Sequence, residues 1–280
     1  MSSNNSSYFS RSFPSDNLTF DGNIYRLDAS PKYALGFRAG RADGSVFRYS
    51  QFGAATTSAA RLVATTNTNF RAETANALVC GTAAVAIPGS PEAAGTIGSR
   101  YVQVKSSLVV ANQYAGGYLI IESGTGSSAA GTYLIKGNTA STAISSVGNF
   151  TLELYDRLQV DLDATTDIAI ITSPYSDLAA YTRVTLTMPA GVTVSNPVTA
   201  TPFAFTQTFG ICNVLSSAMT PVIGGMIVPS ALVVGAVDIY GGGSIGTLAA
   251  SDIQMGPILG YYIQAATAAA QAPIFLTLER

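Results

Sequence analysis

The sequence predicts an all-β fold, an antiparallel sandwich or barrel-like body preceded by an extended amino-terminal arm. Three observations predict it. Apolar and polar residues alternate with period two, most cleanly in FTLELYDRLQVDLD from Phe150 to Asp163. Turn dipeptides such as Asp43-Gly44, Ala190-Gly191 and Asn196-Pro197 punctuate the runs. YAGGYLIIESGTGSSAAGTYLIKGN, from Tyr114 to Asn138, holds two strand-like runs, Tyr118 to Ile121 and Thr132 to Ile135, around a glycine- and serine-rich loop. That arrangement reads as an antiparallel hairpin at the centre of the chain.

Composition narrows the function classes. At 280 residues there is chain for one large β domain or two smaller ones. Charged residues make up 11%, against roughly 25% in an ordinary soluble protein. The formal net charge of -2 supplies no basic face to neutralise phosphates, so no nucleic-acid partner is expected. With no histidine, no mechanism can use an imidazole base or ligand from this chain. Cys80 and Cys212 stand far apart without metal-ligand spacing and read as small buried apolar residues. A mean hydropathy of +0.32 with so little charge points to a surface covered by copies of the chain or by a partner.

Along the chain, MSSNNSSYFSRSFPSDN lacks the basic and apolar regions of a secretory signal, so the protein is expected to stay in the compartment where it is made. Residues 1–30 are rich in Ser and Asn, with Tyr8, Phe9, Phe13, Phe20 and Tyr25 spaced along them. They read either as a disordered tail or as an arm that orders on a partner, with those five aromatics as anchors. Burying one aromatic returns about 1.5 to 3 kcal/mol, against a backbone ordering cost of roughly 1 to 2 kcal/mol per residue, so anchors and strand-edge hydrogen bonds must act together.

Residues 31–175 read as a β-rich domain around the central hairpin. Asp43-Gly44 joins Leu35–Arg38 to Val46–Tyr49 as a hairpin, and Ala54 to Val85 allows at most a short helix. Tyr101 to Lys105 alternates as a strand, Phe150 to Asp163 reads as a half-buried strand pair, and Asp167 to Thr172 is a strand stopped by Ser173-Pro174-Tyr175.

Residues 176–280 form a low-charge β-rich region packed with the preceding one. Between Arg183 and Glu279 the only charged residues are Asp238 and Asp252, so the largest contact between subunits is expected here. Val184 to Met188, Phe203 to Phe209, Val222 to Val228 and Ile274 to Leu278 read as strands. Val222 to Val237 is the best candidate for a membrane span, but Gly224, Gly225, Pro229 and Gly235 interrupt it and it falls short of about 20 residues. Buried strands explain it better, and no membrane partner is expected.

Catalytic readings are weak. Gly242-Gly243-Ser244-Ile245-Gly246 matches G-x-S-x-G, yet Ser244 has no histidine to act as its base. Gly241 to Gly246 also fits G-x-G-x-x-G without the βαβ unit that motif requires. Asp161, Asp163 and Asp167 lack the glycine and glutamate of a calcium loop. Glu153 with Asp156 or Asp161 would need a substrate cleft to act as a glycosidase pair. The expectation is no enzyme, no metal and no cofactor.

The segments LGFRAGRADGSVFRYSQFGA, NQYAGGYLIIESGTG, TYLIKGN, FTLELYDRLQVDL, TSPYSDL, FAFTQTFGICNVL and FLTLER follow in this order from Leu35 to the end. This order resembles a family of structural proteins encoded beside the major capsid protein in tailed bacteriophages, described as head decoration or cement proteins. The resemblance implies that decoration or cement role; taken with the composition, the expectation is a virion protein on the capsid exterior, assembled in the host cytoplasm, with the major capsid protein as partner and self-association as a homotrimer. Two alternatives stand beside it: another virion subunit such as a tail or fibre-base protein, and a surface glycan-binding β module. The absence of Trp counts mildly against the last.

Overall fold

The computed structural model describes residues 22–53, 57–65, 78–79, 85–86, 92–106, 109–125, 131–141, 148–182, 188–217, 221–240, 257–265 and 270–279. Strands are numbered along the chain. The first four are β1 (Leu27–Asp28), β2 (Arg38–Gly40), β3 (Val46–Gln51) and β4 (Leu62–Thr65). Then come β5 (Leu78–Val79), β6 (Val85–Ala86), β7 (Ala93–Ala94), β8 (Tyr101–Ser106), β9 (Tyr118–Ser123), β10 (Thr132–Asn138), β11 (Gly148–Leu154) and β12 (Asp167–Ile171). The last seven are β13 (Leu178–Ala180), β14 (Pro189–Thr193), β15 (Phe203–Leu215), β16 (Met226–Pro229), β17 (Val237–Ile239), β18 (Gly260–Tyr262) and β19 (Gln271–Thr277). The described chain is all-β, built of curled antiparallel sheets of sandwich or barrel-like kind.

Two compact units emerge, Met1–Thr66 with Tyr175–Arg280, and Asn67–Pro174. Residues 31–175 therefore do not form one unit. Residues up to Thr66 instead join the carboxy-terminal part, because β3 pairs along β15 from Gln51 opposite Phe203 to Val46 opposite Phe209. Strand pairing ignores distance along the chain, and composition carries no trace of it.

The first unit is an eleven-stranded sheet in the order β13-β4-β14-β15-β19-β18-β16-β17, with β1 and β3 also on β15 and β2 on β3. β15 organises it. FAFTQTFGICNVL is aromatic, β-branched and uncharged, and it extends six residues beyond the expected Phe203 to Phe209. On one side Phe205 packs with Tyr49, Phe47 and Ile24. The Tyr49 hydroxyl donates to Asp28 at 2.7 Å, so the buried phenol is satisfied. Farther along, Val214 joins Ile227, Tyr262, Ile274 and Leu276 in a second cluster. The Asp43-Gly44 hairpin forms as expected, although β2 begins only at Arg38; Gly44 takes φ +84° and the Ser45 amide donates to the Asp43 carboxylate at 2.9 Å.

The second unit carries a six-stranded sheet in the order β5-β12-β9-β10-β11-β8, with β6 and β7 as a separate pair. The Tyr114 to Asn138 hairpin lies at its middle: β9 and β10 pair with Thr132 opposite Ile120 and Leu134 opposite Tyr118. Gly124 turns the chain at φ +79°, and a Cβ there would collide with the Thr165 carbonyl. The inward residues Leu119, Ile121, Ile135, Phe150, Leu152, Leu154, Ile168 and Ile170 form one core.

Three local expectations change. Within Ala54 to Val85 the described residues are loop, turn and strand, not helix; Leu62 and Val63 are fully buried and β4 is paired on both edges. The alternation from Phe150 to Asp163 is a strand only to Leu154. Beyond it, Leu158 and Leu162 still point inward, held by backbone bonds to Ser99 and Gly95 in place of a second strand. Val222 to Gly225 is a turn, closed by a Gly225 amide bond to Val222 at 3.0 Å, and the strand begins at Met226.

Candidate functional site

The sheet of the first unit has an uncovered side. Registration places Ile211 opposite Phe275, Phe275 opposite Tyr261 and Tyr261 opposite Met226. Directly opposed residues project to the same side of a sheet, so these four make one row across β15, β19, β18 and β16. Tyr240 stands beside it, its amide donating to the Met226 carbonyl at 2.8 Å. Ile211 is 62% exposed, Met226 49%, and Tyr261 and Tyr240 42% each.

The row is rigid and uncharged. The Phe275 ring stacks on Tyr261 at 5.3 Å with 10° between planes, and Phe209 meets Phe275 edge-on at 5.3 Å. None of the four strands contains a charged residue. In neighbouring β17, Asp238 is fully buried, with one oxygen accepting from the Ser217 hydroxyl and the Ser230 hydroxyl near the carboxylate but outside good hydrogen-bond geometry to the other. Burial pushes this carboxyl above its usual range, although the Ser230 hydroxyl pulls the other way. Charge reappears just past β19, where Glu279 pairs with Arg48 and Arg38 and accepts from the Thr208 hydroxyl at 3.0 Å. Burial raises the Glu279 carboxyl, but the arginines and Thr208 outweigh it and hold it below its usual range.

Of the five expected arm anchors, Tyr8, Phe9, Phe13 and Phe20 lie outside the described residues. Tyr25 is described and 58% exposed. It borders a groove of about 380 Å³ whose lining includes Phe47, Gln207, Ile211 and Asn213, and the Arg41 guanidinium sits 5.6 Å from its ring. The groove meets the apolar row at Ile211.

The second unit also leaves a sheet face uncovered, of different character. Tyr101 stands opposite Glu153, and Glu153 pairs with Lys136 at 2.5 Å. Tyr118 stands opposite Leu134, whose carbonyl accepts from the Tyr155 amide at 3.0 Å. Tyr118 and Tyr155 are exposed, while Tyr133, on the other side of β10, is buried and accepts from the Gln159 amide. Glu153 holds the Lys136 ammonium above its usual range, with Tyr101 and Tyr155 close enough to add to the effect.

The remaining motif residues have local structural roles. Asp161 accepts from the Ile97 amide, Asp163 from the Thr165 amide and hydroxyl, and Asp167 from the Ser123 hydroxyl. Those bonds hold the Asp163 carboxyl below its usual range. Glu153, proposed with Asp156 or Asp161 as a carboxylate pair, is engaged by Lys136. Cys212 is a free thiol pushed up to about 12 by burial, so it is inert at neutral pH. Cys80, Ser244 and Gly241 to Gly246 lie outside the described residues.

The chain matches no family model, no curated protein and no solved structure. The functional reading therefore rests on the two uncovered faces. Sequence reasoning located the uncharged region but missed its row. The available signal was the alternation in β18 and β19, and it needed the register to become a surface.

Proposed function

We propose that this chain is a structural subunit of a tailed-phage virion that binds the outer surface of the capsid and stabilises it, as a homotrimer. The row from Ile211 to Met226 is the observation that supports this reading. Covering a half-exposed tyrosine removes about half of the 150–250 Å² that such a ring can bury, roughly 2–3 kcal/mol at ~25 cal/mol per Å². One such ring together with Ile211, Met226 and Phe275 on one uncharged surface makes a natural site for a permanent protein contact. The scarcity of charge in the whole chain and the ordered segment resemblance agree with it.

In this reading the major capsid protein and neighbouring copies of the chain are the partners. The arm residues Tyr8, Phe9, Phe13, Phe20 and Tyr25 supply a further anchor on the shell. The protein assembles in the host cytoplasm and resides on the capsid exterior. Electron cryomicroscopy of the source virus tests it: the expected result is density for this chain on the outer shell around local three-fold axes. Density confined to the tail, or absence from the particle, overturns it.

A further inference from the structure

We propose that the outward face of the six-stranded sheet binds an uncharged polysaccharide, with Tyr118, Tyr155 and Tyr101 as stacking surfaces and the Lys136–Glu153 pair as its hydrogen-bonding centre. This goes beyond the capsid role and does not depend on it.

The geometry selects the ligand class. Tyr118 projects from β9 beside Leu134 of β10, and Tyr155 follows β11 on the other side of Leu134. Two strand spacings, ~9.6 Å, therefore separate the two exposed tyrosines. That is about the length of two sugar rings in a chain, so the rings can meet alternate residues of one extended polymer. The broad face of a pyranose offers C–H bonds to an aromatic ring, and its rim offers hydroxyls.

The polar groups lie where those hydroxyls would be. Tyr101 is registered opposite Glu153, and the Lys136 ammonium sits 2.5 Å from the Glu153 carboxylate. A carboxylate beside an ammonium gives one acceptor and one donor side by side, matching a pair of neighbouring hydroxyls that each donate and accept. Thr132 on β10 and Thr151 on β11 add further hydroxyls on the same side.

Charge decides between ligand classes. Lys136 and Glu153 neutralise one another, and the same face carries Glu122 on β9 and Asp167 on β12. A polyanion, whether an acidic polysaccharide or a nucleic acid, meets net repulsion here. A protein partner would have to dehydrate the ion pair, at a cost its mutual attraction does not reliably repay. A neutral sugar chain replaces the water bonds of both charges while covering the tyrosines.

The test is affinity electrophoresis of the full-length protein through gels containing hydroxyethyl cellulose, laminarin, galactomannan or dextran, with alginate as the anionic comparison. Retardation by at least one neutral polysaccharide is expected. Tyr118→Ala and Tyr155→Ala each weaken it about tenfold, whereas Tyr118→Phe, which keeps the ring, retains most of it. Lys136→Met weakens it several-fold. Met226→Asp, on the other unit, leaves it unchanged while disabling capsid attachment, so the two readings fail separately. All of these side chains are exposed, and a thermal melt confirms that each variant is folded. No retardation by any neutral polysaccharide, equal retardation of the Tyr118→Ala/Tyr155→Ala double variant, or retardation by alginate alone overturns the proposal.

Discussion

The outward row of the first unit and the outward face of the second are both antiparallel sheet surfaces backed by fully buried cores, yet they expose opposite chemistry. Ile211, Phe275, Tyr261 and Met226 follow one another across four strands with no charged residue on those strands. Tyr101, Tyr118 and Tyr155 are instead interleaved with Lys136, Glu153 and Glu122. An apolar surface without charges gains by losing water altogether, which suits a permanent protein contact. A surface that mixes rings with charges gains only from a partner that replaces the water bonds. The difference teaches that exposed aromatics alone do not define a site; their neighbours do.

The largest expected effect breaks the comparison on the first face. Tyr261→Asp or Met226→Asp places an unpaired carboxylate in the contact, at about 3–5 kcal/mol. Attachment to capsids lacking the protein, measured by cosedimentation, should weaken by more than about 100-fold. Tyr118→Asp on the second unit should leave it unaltered. If Tyr261→Asp still attaches at wild-type strength, the row is not the contact.

Next come the cores behind the faces. Leu276→Ala and Leu152→Ala, both at fully buried positions, should each destabilise their unit by about 2–5 kcal/mol in urea unfolding. Ile211→Ala, on the outward side, should stay within about 1 kcal/mol. A large loss at Ile211 would mean that the row is part of the fold and not a surface awaiting a partner.

A smaller effect concerns Asp238, the one charge that β17 brings behind the row. Its folded-state carboxyl titrates above the unfolded one, so its contribution is fully present below the unfolded value and is lost as pH rises through the folded value. Asp238→Asn, which cannot ionise, should therefore stabilise the first unit at neutral pH relative to wild type. Melting curves of wild type and variant should converge on acidification. Parallel curves at every pH would show that Asp238 is not strained.

The smallest is Lys136→Met, which removes a solvent-exposed ion pair and should leave the urea-unfolding midpoint almost unchanged, the more so in high salt. A larger loss would make the Lys136–Glu153 pair a structural element and weaken the case that it is held for a ligand.

Much of the architecture is legible in the sequence. The Asp43-Gly44 turn, the central hairpin, the strand at Asp167 and the alternation up to Leu154 all follow from local rules, because turn chemistry and period two act over a few residues. The failures share one cause. Leu158 and Leu162 continue the alternation of a strand, but their backbone finds partners in the loop at Gly95 and Ser99. Leu62 to Thr65 sits in an alanine-rich stretch that allowed a helix, and pairing with β13 and β14 makes it a strand. Local preference is worth tenths of a kcal/mol per residue, and tertiary pairing with burial exceeds it.

By itself, the sequence determined an all-β chain, poor in charge, lacking histidine chemistry, and with a carboxy-terminal third nearly free of charged residues. Those properties depend on residue type and short-range period, which need no partner strand to be read. Only the tertiary structure decided that β3 joins β15 across more than 150 residues, that Ile211, Phe275, Tyr261 and Met226 fall in one line, and that three tyrosines surround a lysine–glutamate pair. Each is a matter of register. A shift of one residue turns a strand's side chains to the opposite face, and that choice is made by the pairing of distant segments.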